Sequence, residues 1–424
     1  MSLPQKLKYD NAINASYAKN FVSKINCQNT NNHNLGNTAI INIPCMSNQV
    51  LSGADSLLKM KLKLENGTAG NADVVFDRAG VAGCIQRIRL FSGSQLLQDL
   101  DNYGNLVTQL LSYQVSPDAL LGKLSVLQGT ASASTGEGNT VGANSSLELD
   151  LCFPLMTILS LTEKYVPCYA MANSGPLRLE IQFVSDFKKF LNTDVELTDS
   201  VGGVFKNVQF LANFIEISDT GMSIIKQAQK NRPVEWVTQS FSNYVYNGSI
   251  NAGGSEFTVP VPAKFNSLKA LYATFRKNAD GVLNRFPFDS ANWSLEEYRT
   301  AIGSRVIPSE PPTSVPEFLA ETERALGCVS NRLSNTSYTS VQIVADVAST
   351  DNVISNCFMV GIETESYSSA PMGSTYQGLN TTGSDIYFRP KFGSQTAVDI
   401  RIDIYASFDQ LITIDDTGVP QVQF

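Results

Sequence analysis

Gln86–Phe91 reads QRIRLF and Leu268–Phe275 reads LKALYATF, and the fold turns on reading the two stretches together. Each is a half-buried strand-like run that leads through a polar segment into residues with helical spacing, Asp101–Tyr113 after the first and Ser294–Ile302 after the second. More strand-like segments follow both helices, and each half is about the size of one β-sandwich. The chain therefore repeats one architectural pattern, without a repeat of residue identity. Two all-β halves carrying long loops suit a building block better than a reaction vessel.

The strand assignments rest on alternation with a period of two. In Leu58–Leu64 (LKMKLKL), Leu58, Met60, Leu62 and Leu64 point one way while Lys59, Lys61 and Lys63 point the other. Leu147–Phe153 (LELDLCF) and Leu177–Phe183 (LRLEIQF) repeat the device, with Glu148, Asp150, Arg178 and Glu180 on the wet side. Val398, Ile400, Ile402 and Ile404 alternate with Asp399, Arg401 and Asp403, which predicts a charged ladder on an outer face. Such one-sided strands belong to antiparallel sheets with one face on a core. The Gly253-Gly254 pair between two strand-like runs reads as a hairpin turn.

Helices are few and short. Tyr103, Leu106, Val107, Leu110 and Leu111 form one apolar stripe, predicted to lie across a barrel end. Ser294 and Glu297 match a capping box, with Leu295, Tyr298 and Ile302 as the stripe and Gly303 past the end. Pro316 opens a further helix that carries Phe318, Leu319 and Leu326 and stops at Gly327. Thr220–Lys230, ending before Pro233, reads as a connector between the halves. Two long loops are expected, Gly122–Ser146 and Lys277–Asn335, either as surface decoration or as a tower or clasp onto a neighbouring subunit. Phe286, Phe288 and Trp293 in the second loop either contact a neighbour or pack onto their own barrel.

Composition narrows the function. The chain has 424 residues, 43% hydrophobic and 17% charged, with a net charge of −8. That is enough to bury two cores, and the acidity argues against gripping nucleic acid over the whole surface. Stretches of about 20 apolar residues are absent from the sequence, and the N-terminal stretch has no signal-peptide core. Cys27, Cys45, Cys84, Cys152, Cys168, Cys328 and Cys357 are odd in number, scattered and never in a CxxC spacing. They read as small buried hydrophobes in a reducing cytoplasm. His33, the only histidine, sits in the polar run NTNNHNLG and reads as a solvated loop residue. Its place in that polar run argues against triads and dyads that need a structured base, and a lone histidine excludes metal sites that need two. Asp415-Asp416 adjoins a Thr-Gly turn and Glu296-Glu297 opens the second helix, so both acidic pairs have structural explanations. We therefore assign no catalytic, cofactor-binding or metal residues, and the chain does not read as an enzyme.

Three stretches resemble the double-jelly-roll major capsid proteins of small tailless icosahedral viruses and phages. They are GCIQRIRLFSGSQLLQDLDNYGNLVTQLL (Gly83–Leu111), FPLMTILSLTEKYVPCYAMANSGPLRLEIQF (Phe153–Phe183), and GLNTTGSDIYFRPKF with VDIRIDIYASFDQLITID (Gly378–Asp415). The resemblance runs from about residue 37 to the end. It implies an all-β chain of two tandem eight-stranded antiparallel jelly rolls, at 37–218 and 233–424, after an N-terminal arm (1–36) and around a connector helix (219–232). It further implies self-assembly as a homotrimer and with neighbouring capsomers into an icosahedral virion shell, made in the host cytoplasm. Minor capsid or penton proteins are expected as partners. The arm, with Lys6, Lys8, Lys19 and Lys24 against Asp10, is expected to contact an internal membrane or the genome. A tandem β-sandwich binding module, such as a carbohydrate-binding spike or adhesin, is the alternative reading.

Overall fold

The computed structural model describes residues 18–67, 73–130, 140–193, 201–229, 232–278, 287–327, 336–346, 356–365 and 378–424. Strand accounts for 49% and helix for 18%, so the fold is all-β. Eight principal strands are described before the connector: β1 (Ala18–Asn26), β2 (Thr38–Ile43), β3 (Gln49–Asn66), β4 (Ile85–Ser92), β5 (Gln95–Asp101), β6 (Ser145–Pro154), β7 (Leu177–Phe183) and β8 (Val201–Ile217). They form two antiparallel sheets, ordered β1-β8-β3-β6 and β2-β7-β4-β5. Eight more follow it: β9 (Val234–Ile250), β10 (Val259–Val261), β11 (Leu268–Lys277), β12 (Leu295–Ile302), β13 (Arg305–Ile307), β14 (Met359–Glu363), β15 (Ile386–Phe392) and β16 (Val398–Ile414). Their sheets run β9-β16-β11-β14 and β10-β15-β12-β13. Adding eight to each strand of the first set gives the second. These are two jelly rolls of one topology.

The alternation read from LKMKLKL is what the register uses. Leu58, Met60, Leu62 and Leu64 of β3 stand opposite Phe153, Leu151, Leu149 and Leu147 of β6, all on the inner face. Lys61 and Lys63 stand opposite Asp150 and Glu148 on the outer one. Aromatic rings join the two sheets of each half. Phe183 of β7 stacks on Phe205 of β8 at 4.1 Å, and Phe275 of β11 meets Phe392 of β15 edge-on at 5.4 Å. Such pairs contribute about 0.5–1.5 kcal/mol each beyond the area they bury.

Three helices matter below: α1 (Tyr103–Gln114), α2 (Asp219–Gln229) and α3 (Val315–Ala325). α1 and α3 match the expected apolar stripes, and Gly327 follows α3 with φ +72°. α2 joins β8 to β9 where the connector is expected. The Asp415-Asp416 turn also forms, the Thr417 N–H donating to Asp415 Oδ1 and the Gly418 N–H to the Asp415 carbonyl, both at 3.0 Å.

Other expectations are corrected. The helix expected at Ser294–Ile302 is strand β12, so Glu296-Glu297 opens no helix, and Glu296 instead pairs with Lys391 across the sheet at 2.7 Å. A β-bulge between Leu295 and Glu297 is the cause. It leaves Leu295 and Tyr298 buried three residues apart instead of two, and a spacing of three imitates a helical stripe. LKALYATF (β11) is consequently the counterpart of LKMKLKL in β3, and QRIRLF (β4) that of β12. Lys277–Asn335 is no loop where described, because it holds β12, β13 and α3. Gly122–Ser146 carries a helical turn at Ser125–Gln128 and a short strand at Thr140–Val141, with 131–139 outside the described residues.

Gly253-Gly254 is not a hairpin. The Gly254 N–H donates to Asn251 O at 3.0 Å with φ +91°, and the turn passes the chain from β9 to Ser255–Glu256, which pairs with β15 in the opposite sheet. Part of the expected arm is a strand, since β1 pairs with β8 along its whole length. Residues 1–17 lie outside the described ones.

Candidate functional site

The most constructed part of the surface is the seam where the first half packs on the outward face of β9-β16-β11, and α1 is its centre. Its residues from Tyr103 to Tyr113 are buried except for half-buried Leu111. One side, Tyr103, Leu106 and Leu110, enters the core of the first half. The other side is polar and faces the second half. Asn105 Nδ2 donates to Tyr405 Oη at 2.9 Å and to Thr274 Oγ1 at 3.2 Å, and Gln109 Nε2 donates to the Phe288 carbonyl at 3.0 Å. The helix was expected across a barrel end; it lies between two barrels, and its polar face is a docking face.

Close approach depends on glycines. A Cβ on Gly104 would lie 2.6 Å from Gly83 O and 3.0 Å from the Phe288 ring. One on Gly83 would lie 2.7 Å from that ring. Phe288 and Trp293 are accordingly only 5% and 4% exposed within the single chain. Trp293 Nε1 donates to the Phe275 carbonyl at 3.0 Å, so both side chains pack onto their own chain. Phe286 lies outside the described residues.

The charged ladder of β16 is outer only at its start, where Asp399 is exposed and Arg401 half-buried. Asp403 is fully buried and receives Arg276 Nε at 2.8 Å, Arg401 Nε at 3.0 Å and Asn102 Nδ2 at 3.2 Å. Burial would depress the Arg276 pKa, but Asp403 and Tyr405 together more than offset it and the net shift is upward. Burial raises the Tyr405 hydroxyl, with Asp403 adding to it, so Tyr405 stays a neutral donor, giving its proton to Asn102 O at 3.2 Å. A second anchor is the buried Arg78, whose Nη1 donates to Ser112 Oγ at 2.7 Å and Nη2 to the Asn356 carbonyl of the second half at 3.0 Å. Further along, Gln410 Nε2 donates to Leu97 O at 2.7 Å and Trp236 Nε1 to Thr162 Oγ1 at 3.1 Å.

These contacts hold the two halves together. His33 is not solvated: it is buried, pairs in register with Phe205 and lies 6.0 Å from the Phe183 ring. Neither ring nitrogen makes a well-formed hydrogen bond. Burial lowers its pKa, an effect that the Thr30 backbone partly offsets. Cys84, Cys168 and Cys357 are buried, while Cys27, Cys45 and Cys152 are half-buried; all six are free thiols, and Cys328 lies outside the described residues. Among the described residues, no cluster of His, Cys, Asp and Glu is arranged to hold a metal ion, and no helix is long and apolar enough to cross a membrane.

The opposite face of the first half differs. The outward side of β3, β6 and β8 presents Lys59, Lys61, Lys63 and Lys206 with Glu148 and Asp150, all partly or fully exposed. Lys61 Nζ lies 3.6 Å from Glu148 and 3.5 Å from Asp150. The sequence showed these charges but not which sheet face would be covered, because alternation marks a face as polar without naming its neighbour.

No family model and no curated protein sequence matches this chain. Its shape does match solved structures. The crystal structure of PBCV-1 VP54, fitted into a cryo-EM reconstruction of the virophage Sputnik, aligns with a TM-score of 0.63 at 9% identity, over 98% of this chain and 100% of that one. The Faustovirus major capsid protein aligns at 0.61 and 9%, over 96% and 92%. The mavirus major capsid protein aligns at 0.56 and 10%, over 100% and 95%. At such identities the likeness is one of fold, and it spans both halves. The chain has the double-jelly-roll fold that these capsid proteins share.

Proposed function

We propose that this chain is a major capsid protein that self-assembles as trimeric, pseudo-hexagonal capsomers into an icosahedral virion shell. The observation that carries the reading is the pair of topologically identical jelly rolls fixed side by side by a buried polar seam. Two barrels per chain make six in a trimer, which approximates a hexagon and tiles a shell. The full-length likeness to capsid proteins supports the same reading over a tandem β-sandwich binding module, and a structural role leaves the chain without an enzymatic one. The first jelly roll takes in β1 and extends to about residue 218, 219–232 connect, and the second occupies 233–424. Its partners are other copies of itself, minor capsid or penton proteins, and an internal membrane or the genome reached by the residues before β1. It works in the virion after synthesis in the host cytoplasm.

Light scattering and electron microscopy of the purified chain test this. Trimers with a hexagonal outline that build into shells are expected, and a chain lacking residues 1–17 should form less stable particles. A monodisperse monomer at micromolar concentration, without a hexagonal profile, would favour the binding module.

A further inference from the structure

The two halves share one topology, so each element of the seam has a counterpart elsewhere on the chain. Inside the chain, β5 sits on the outward face of β9 and β16, and α1 on that of β16 and β11. Their counterparts are β13 and α3, and the counterpart of the covered face is the outward face of β1, β8 and β3. Among the described residues both of these are open. α3 exposes Pro316, Glu317, Ala320 and Arg324, whereas Gln114 is the one exposed residue of α1.

The helices match position by position. The fourth residue of each, Leu106 and Phe318, is fully buried. The third and seventh are Asn105 and Gln109 in α1, which hold the seam, and Glu317 and Glu321 in α3. The strands match as well. Asp403 lies eleven residues before the end of β16 and pairs with Thr274 of β11. Lys206 lies eleven before the end of β8 and pairs with Lys61 of β3. Where the seam sets Asn105 on two hydroxyls and Gln109 on a carbonyl, the open counterparts carry glutamates on the helix and lysines on the strands.

The charges around these positions are complementary. Glu310, Glu317, Glu321, Glu323 and Glu363 outnumber Arg305 and Arg324 on and beside α3. The Glu363 carboxyl is pushed up from its ordinary value by burial, then by Glu365, while Arg324, paired with Glu321 at 2.7 Å, pulls it down and Glu321 adds to the rise. Lysines brought from outside would offset the glutamates that Arg305 and Arg324 leave in excess. Val306 on β13, 47% exposed, adds an apolar contact at the same edge.

We infer that a second copy of this chain seats α3 and β13 on the outward face of β1, β8 and β3, with Glu317 and Glu321 over Lys61 and Lys206. The contact rests on the self-assembly proposed above and specifies its surfaces. It joins unlike patches head to tail, the kind of contact that closes a ring when its rotation permits. It repeats between chains the packing already present within one.

Charge reversal tests it. Lys61→Glu and Glu321→Lys, each alone, should weaken trimer formation by about tenfold or more in sedimentation velocity, and the two together should recover most of the loss. Zero-length carbodiimide coupling of the wild-type trimer should link the peptide bearing Lys61 or Lys206 to that bearing Glu317 or Glu321, between isotopically distinct copies. This second measurement does not depend on any variant folding. A trimer indifferent to both reversals, or one whose cross-links avoid these peptides, overturns the contact and leaves the capsid reading intact. A wild-type chain that stays monomeric and builds no shell overturns both.

Discussion

β3 and β11 occupy the same place in their halves and look different in sequence for one reason. LKMKLKL alternates strictly because its lysine face meets water, whereas in LKALYATF all the residues from Ala270 to Phe275 are buried. The topology, the neighbouring strands and the inner core correspond; only the far side of the sheet differs. Alternation therefore reports what covers a sheet, not what kind of sheet it is. The acids on the two faces show the same contrast. Asp150 has a side chain 73% exposed beside Lys61, and Asp403 is sealed between two arginines.

The sharpest way to break this comparison is Asp403→Ala. It leaves Arg276 and Arg401 without their buried counter-charge, and a loss of about 3–5 kcal/mol is expected in chemical denaturation. A loss under 1 kcal/mol would mean that the covered face is wet. Gly104→Ala comes next. In an open helix this change gains up to about 1 kcal/mol, but here the added methyl meets Gly83 and Phe288, so a loss of about 1–3 kcal/mol is expected from thermal melting. A gain would show that the halves are not closely docked. Asp150→Ala is the smallest. On the open face it should change the stability of the isolated chain by no more than about 0.5 kcal/mol. An effect as large as that of Asp403→Ala would erase the distinction between the two faces.

The fold class was legible because most strands of the first half face water on one side. β3, β6 and β7 could be read residue by residue, and the Asp-Arg-Asp run located β16, although the outer face it predicted is covered at Asp403. The duplication was legible as a pattern but aligned one strand out of step. The bulge in β12 gave Leu295 and Tyr298 a helical interval, and LKALYATF, buried on both faces, lacked the polar alternation that would have matched it to LKMKLKL. The seam was illegible for a different reason. Asn105 and Gln109 on a helix gave no sign of a docking face, since a polar side chain bonded to another domain has the same identity as one bonded to water. His33 was misplaced by its polar neighbours, which gave no sign that the ring turns inward against Phe183.

The seam between the halves also fixes where a curved assembly can bend. Glycine-mediated contact, a sealed carboxylate and an arginine that reaches across make the two barrels of one chain move as a single stiff plank. In the trimer proposed above, bending of a shell built from such planks would not spread evenly over all six barrel contacts of a capsomer. It would concentrate in the three contacts between chains and in those between capsomers, where the proposed pairing of glutamates and lysines at exposed surfaces tolerates changes of angle. Curvature would then be set by the solvated joints alone, and the ionic strength of the medium would tune it.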